Sequence, residues 1–528
     1  MFPTLQYISV IRKSLTAEKV LFAALLIAYV ALLWTFHYIP TEDGPAHLGN
    51  AYIIKEYHNA AAGRLRDFYV LNWRLPTNVV YHYALAALLF AVPPLVAEKL
   101  LLSLYLIIFA TGVRYLIIAI HGRPHPAAFL AFPLFISYPF QMGFFGSMLS
   151  LACAVWGLAY FWRRRAALTL GTIVMLNAIG LAIFAIHLFG WGVFVAGVIY
   201  LSLARGVGAA KTAGRRPVKT GVRRRWLSLP APVYLSPAVA IPLLYFFSQP
   251  KLSAVTHVRW SLLLKNFLTF EVFNSFFRSY NWATVGTAVV FAALAVAVLA
   301  EKTFGRREFK WHRGDVAAAL AVPAATAAYL LCSDSTPFRG SWIGIRLALL
   351  PILAAVVWLA GARSRPLRLS LFIIGPVVAL LHLGAAALGY AEANIILSRY
   401  TSAYDLIAAD ATILPITKRA PYRNNLKVSY VKHAGGYYTL GKRVVDLANY
   451  EPNYRYFPVQ WRNRKKPVPI VRARRGVPYY NLRKKYEMID YLLYWQAPRR
   501  KENEPPDAEY ELIYENKPLF VFKRTPAP

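Results

Sequence analysis

The chain has 528 residues, 57% of them hydrophobic, a mean hydropathy of +0.40 and a formal net charge of +36. So much apolar sequence excludes an ordinary soluble enzyme and fits a polytopic membrane protein. The basic charge does not call for nucleic acid as a partner. Many of the Lys and Arg residues fall in short loops between apolar runs, as cytoplasmic loops do.

The first apolar run, Val20 to Phe36, follows Arg12, Lys13 and Lys19. It is long and no small-x-small cleavage site follows it, so it reads as an uncleaved signal anchor. The loop after it, 37–78, is expected to face outward and opens with Pro40-Thr41-Glu42-Asp43-Gly44-Pro45-Ala46-His47-Leu48. Pro45 suits the first turn of a helix with Gly44 as its N-cap, and the helix is predicted to continue to about His58. Asp43 then sits at the loop-to-helix junction, and His47 faces the same way one turn later. Asp43, Glu42 and His47 are the candidate catalytic residues. A carboxylate there can take a proton from an acceptor hydroxyl or hold a divalent cation such as Mg or Mn. The positive end of the helix is expected to keep Asp43 ionised, which favours cation binding over base catalysis. The bland alternative is a polar cap on a juxtamembrane helix.

Val79 to Val92 is apolar but short and ends at Pro93-Pro94, so it reads as an interfacial or re-entrant segment. Further spans are predicted near 100–120, 126–140, 144–162, 166–184, 186–203, 230–247, 282–300, 315–331, 344–360 and 369–390, about eleven with the first. Basic residues mark one class of loop: Arg163–Arg165; Arg215, Arg216 and Arg223–Arg225; Lys302, Arg306, Arg307 and Arg313; and Arg363, Arg365 and Arg368. These loops are expected to be cytoplasmic. The other loops, around 141–143, 185–187, 248–281 and 332–343, are poor in basic residues. The 248–281 loop suits an amphipathic helix on the membrane.

The 332–346 region carries Asp334, Arg339 and Arg346. A guanidinium at a span start either snorkels or finds an anion, and a lipid phosphate is its natural bidentate partner. Arg346, Arg339, Asp334 and His187, at the turn Ile186–Trp191, are therefore candidate substrate-binding residues. Residues 391–528 read as a basic α/β domain on the extracytoplasmic side. A helix is expected over Ser402–Ala411, strands at Thr412–Pro415 and Ile489–Trp495, and a hairpin over Tyr510–Phe522. Its basic clusters, such as Arg472–Arg475, suit either solvated loops or anionic headgroups.

In this arrangement the chain resembles the GT-C superfamily of polytopic membrane glycosyltransferases. These include protein O-mannosyltransferases and the transferases that modify lipid A with aminoarabinose. The likeness lies in an acidic motif after the first span, many further spans, and an outward C-terminal domain. His433-Ala434-Gly435-Gly436-Tyr437-Tyr438, Asn449-Tyr450 and Tyr456-Phe457-Pro458 also look like the outward domain of bacterial members. The resemblance implies a mainly α membrane domain at 1–390 and a glycosyltransferase of the plasma membrane and cell envelope. It implies a polyprenyl-phosphate sugar as donor, an extracytoplasmic acceptor, and Asp43, then Glu42, as base or metal ligand. No second acidic motif appears in a later outward loop, which leaves metal dependence open. A transporter or lipid flippase would need ionisable groups deep in the spans, and almost none occur. The third reading is a non-catalytic envelope assembly protein.

Overall fold

A computed structural model describes residues 3–166, 168–209, 231–248, 257–274, 276, 281–304, 313–332, 334, 342–417, 427–462, 489–496 and 510–525. Arg339, the arginines at 215–225 and 306–307, and the basic clusters within 463–488 and 497–509 lie outside these residues.

Among the described residues, six helices are long and apolar enough to cross a membrane: Ala17–Thr35, Pro94–His121, Phe145–Arg164, Trp282–Phe304, Gly314–Leu331 and one starting at Arg365. Four shorter apolar helices, Leu170–Ile186, Leu188–Leu203, Ser236–Ser248 and Ile343–Leu359, join them. The chain is a multi-pass membrane protein. The helix from Arg365 runs to Tyr400, through the boundary expected at 390.

The two ends of the bundle differ in charge. At one end Asp315 receives Arg363 at 2.9 Å, His121 at 3.4 Å and Lys302 at 3.7 Å. Arg163 lies over Tyr115 toward that same end. The other end carries the 37–58 region and the 141–143 turn. Within the bundle, Arg114 pairs with Glu18 at 2.5 Å, so this span arginine is neutralised locally.

The run at 126–140 is not one helix. It is a 3-10 turn, Pro126–Ala131, and two single-turn helices, Phe132–Phe135 and Tyr138–Gln141. Each begins with a proline in its first turn, which suits a helix start but cannot continue a preceding helix. Such broken backbone is tolerated at membrane depth only when protein covers it, and Phe129, Phe132, Phe135 and Phe140 are fully buried. The break puts the Gln141–Gly143 turn under the first loop, where the Gln141 carbonyl accepts the Glu42 amide at 2.9 Å. The 79–92 run forms only the short helix Val80–Leu88, which packs on the Gly44–Glu56 helix. An amphipathic helix forms in the 248–281 loop at Trp260–Leu268.

Two sheets complete the fold. β1 (Tyr69–Leu71), in the first loop, pairs antiparallel with β4 (Val459–Trp461). The C-terminal part thus shares a sheet with the 37–78 loop. The second sheet has the order β3-β2-β5-β7-β6, built from β2 (Thr412–Thr417), β3 (Val445–Asp446), β5 (Tyr491–Trp495), β6 (Tyr510–Asn516) and β7 (Leu519–Arg524). β2 is parallel to β3 and β5, while β5, β7 and β6 are antiparallel. The unbroken apolar runs of β2 and β5 suit central strands covered on both faces. The helix expected over Ser402–Ala411 is only a 3-10 turn, Tyr404–Leu406. The Lys442 ammonium binds the carbonyls of Tyr404, Asp405 and Ile407, which competes with the helical ladder.

Candidate active site

The Gly44–Glu56 helix begins one residue earlier than expected, with Asp43 rather than Gly44 as N-cap, keeps Pro45 in its first turn and stops two residues short of His58. Asp43 makes no side-chain cap bond, so its carboxyl is left to face the site. Gly143 fixes this corner. Its φ of +83° is left-handed, and a Cβ there would stand 2.8 Å from the Asp43 Cβ and 2.9 Å from two amide nitrogens. Only glycine allows both the turn and the approach.

His47 lies one turn into the helix and is buried. Its Nδ1 is 2.5 Å from Glu451 Oε1, and its Nε2 is 3.0 Å from the Gly143 carbonyl. Both partners are acceptors, an arrangement that favours the imidazolium form of His47. Burial alone would lower its pKa, but Glu451, Asp43 and the Gly143 carbonyl outweigh it and raise it. Glu451 also bonds His82 Nε2 at 3.0 Å. Against its burial, the two histidines hold the Glu451 carboxyl down at about 2. Tyr81, Phe145 and Phe457 ring His47 and keep water away.

Asp43 behaves differently from the sequence expectation. Burial, with Glu42 adding to it, raises its pKa from 3.8 to about 7 despite His47, Lys432 and Tyr450, which act downward. The helix end contributes roughly half a charge, which is too little to offset removal from water. Asp43 is therefore only partly ionised near neutral pH, not held as a standing anion. His433 Nε2 lies 3.5 Å from its Oδ1. Burial, then Lys432, pushes His433 well below the usual histidine range, so it is neutral. Glu42 is paired with the Lys432 ammonium.

Arg346 joins the same centre. Its guanidinium lies 4.3 Å from the centroid of the Phe144 ring and within electrostatic reach of Asp43, Tyr450, Tyr456 and Asp334. Asp334 anchors the start of the Ile343–Leu347 helix by accepting the Gly344 amide at 3.3 Å. His187 caps the next span, its Nδ1 accepting the Phe189 amide at 3.0 Å. It sits within electrostatic reach of Arg346 but is spent on the backbone. Asp43, Glu42, His47 and Arg346 are thus brought together; Asp334 and His187 support the Arg346 side.

The sequence reading missed Glu451, His82 and Lys432 and gave His433 no role. Glu451, Lys432 and His433 lie about 400 residues along the chain from Asp43, and His82 lies on the separate Val80–Leu88 helix. The glycines beside His433 offered a signal. A Cβ on Gly436 would stand 2.1 Å from the Pro45 carbonyl oxygen, so this pair seats the C-terminal part on the helix start. Asn50 and Asn449 lock the same junction with reciprocal amide bonds of 2.8 and 3.2 Å.

Among the described residues, two groups of side chains have metal-ligand spacing, their ligand atoms within 4.8 Å of one another: His47, His82 and Glu451, and Glu42, Asp43 and His433. In the first, both Glu451 oxygens are taken by the two histidines and both His47 nitrogens are engaged, by Glu451 and the Gly143 carbonyl. In the second, the Lys432 ammonium already occupies Glu42.

No protein-family model and no curated protein matches the sequence. Among solved structures, ArnT from Cupriavidus metallidurans in the apo state aligns with a TM-score of 0.50 at 12% identity, covering 96% of this chain and 98% of that one. The chain has the ArnT fold. ArnT bound to undecaprenyl phosphate aligns at 0.47 and 11% identity, over 97% and 99% of the two chains. Mycobacterial arabinofuranosyltransferase AftD aligns at 0.42 and 12%, over 95% of this chain and 40% of its own.

Proposed function

We propose that the protein is a membrane glycosyltransferase that moves a sugar from a polyprenyl-phosphate carrier to an extracytoplasmic acceptor, with Asp43 as general base. The observation that carries this reading is the meeting of a carboxyl with a pKa of about 7 and the Arg346 guanidinium in one buried site. An acceptor hydroxyl attacks the anomeric carbon and gives its proton to Asp43, while the bond from that carbon to the carrier phosphate breaks. Arg346 neutralises the charge that develops on the leaving phosphate. His47, fixed by Glu451 and Gly143, holds Asp43 low enough to be partly ionised at neutral pH. The fold shared with ArnT agrees with this class of reaction.

We place the Asp43 end on the outer face, because the opposite end carries the basic loops. Residues 391–528 then lie outside as well. Asp43→Asn should abolish transfer of a radiolabelled sugar into lipid-extracted or polymeric product while expression stays normal. Unchanged transfer would remove Asp43 from the chemistry.

The spacing of Glu42, Asp43 and His433 favours a second reading, in which these residues hold a divalent cation such as Mg or Mn. Chelation with EDTA followed by return of Mg or Mn separates the two. Transfer that survives chelation supports the base; transfer lost and restored by the ion supports the cation.

A further inference from the structure

A second pocket, of about 760 Å³, opens where the first loop, the start of the Pro94–His121 helix and the C-terminal part meet. One wall is apolar, running from Val92 to Val96, with Leu89 beside it. The other is basic and phenolic, with Lys55, Lys99 and His37 among Tyr38, Tyr52 and Tyr404. None of its lining residues is acidic. The Lys55 ammonium bonds Glu56 Oε1 at 2.9 Å, and the Lys99 ammonium bonds the Phe36 carbonyl at 2.6 Å. An ammonium has three donors, so both keep capacity for a further acceptor.

The surroundings identify the level of the bilayer surface. Lys99 lies 5.9 Å from the Trp34 ring, at the end of the first span, and Phe90 is 73% exposed beside the apolar wall. Tryptophan with lysine at a span end is the signature of the membrane–water interface. Lys55 stands twelve residues along the helix from Asp43, roughly 18 Å at the rise of an α-helix. A headgroup held on Lys55 therefore lies well away from the Asp43 carboxyl.

We propose that this pocket binds the phosphate headgroup of an anionic bilayer phospholipid, whose acyl chains leave past Phe90 and the Val92–Val96 wall. Both lysines face the phosphate, and the Tyr52 hydroxyl, which accepts from the Gly441 backbone, supplies a further donor. Because Tyr404 and Tyr437 come from the C-terminal part and Lys99 from a span, the lipid ties the two together. The site does not depend on which reaction occurs at Asp43.

The test is native mass spectrometry and thermal unfolding of the purified full-length protein in detergent, with phosphatidylglycerol, phosphatidylcholine or glycerol 3-phosphate added. Phosphatidylglycerol should bind and raise the unfolding temperature, while the other two should do neither. Lys55→Gln/Lys99→Gln should weaken phosphatidylglycerol binding roughly thirty-fold, from two basic contacts at a charged surface. Lys517→Gln, at an exposed lysine on the far hairpin, should leave it unchanged. Equal binding of phosphatidylcholine, or wild-type phosphatidylglycerol binding in the double variant, overturns the proposal. Stabilisation by glycerol 3-phosphate equal to that by the lipid overturns the assignment to a bilayer lipid. If the double variant fails to fold, Lys55→Gln alone must still weaken binding at least threefold, and wild-type binding there overturns it.

Discussion

Glu451→Gln keeps the shape of the side chain but removes the charge that holds two buried histidines. At neutral pH Glu451 is ionised, its pKa held at about 2 by His82 and His47. Without that charge, burial favours neutral His47, and Asp43 loses the cation that keeps its pKa near 7. Residues four apart on a helix stand about 6 Å apart. At an effective dielectric constant of about 20, unit charges at that distance interact by about 3 kcal/mol, or about two pH units. The acid limb of the transfer rate should therefore move from about pH 7 to about pH 9. At pH 7 the ionised fraction of Asp43 then falls from about one half to about one hundredth, so the rate should drop about fifty-fold and recover above pH 9. Initial rates of sugar transfer between pH 5.5 and 9.5, with a folding check at each pH, measure this. His47→Gln should give the same displacement, and the double variant should add little to either. A limb that stays near pH 7 in a folded Glu451→Gln protein would refute the coupling of Glu451 to Asp43 through His47.

Asp43→Asn should also change stability in a pH-dependent way. A carboxyl raised from 3.8 to about 7 gives stability that is present at low pH and lost as pH rises through about 7. The variant should match wild type near pH 4 and exceed it at pH 8 by up to about 4 kcal/mol, read from thermal unfolding; equal shifts at both pH values would contradict the raised pKa. Arg346→Gln should lower kcat/KM for the lipid donor by roughly 10²–10³, with Arg346→Lys between, as expected for a cation at the leaving group. Wild-type kinetics in Arg346→Gln would remove it from the site. Gly143→Ala should cost about 1–2 kcal/mol in the left-handed region and displace Asp43, seen as lower unfolding temperature and lower rate together; normal values for both would show that the turn relaxes.

Local pattern determined what the sequence could show alone. Apolar runs of bilayer length set the spans, and basic residues sorted the loops into two classes. Pro45 after Asp43-Gly44 marked the helix start, and apolar strand runs marked β2 and β5. Each of these depends on neighbours within a few residues, so each is written in consecutive letters. The 126–141 segment shows the limit of that rule. Its composition suits a span, but three prolines divide it into single turns that stand only because packed aromatics cover their backbone. The site shows the limit more clearly. Asp43, Glu42, His47 and Arg346 were recognisable as charged groups at span ends. The charge state of Asp43 was not, because burial is a property of the fold and outweighs the helix end that the sequence reveals. Glu451 reaches His47, and His433 reaches Asp43, from about 400 residues away. Only the close approach of Gly436 to Pro45, together with the β1–β4 pairing, brings them there.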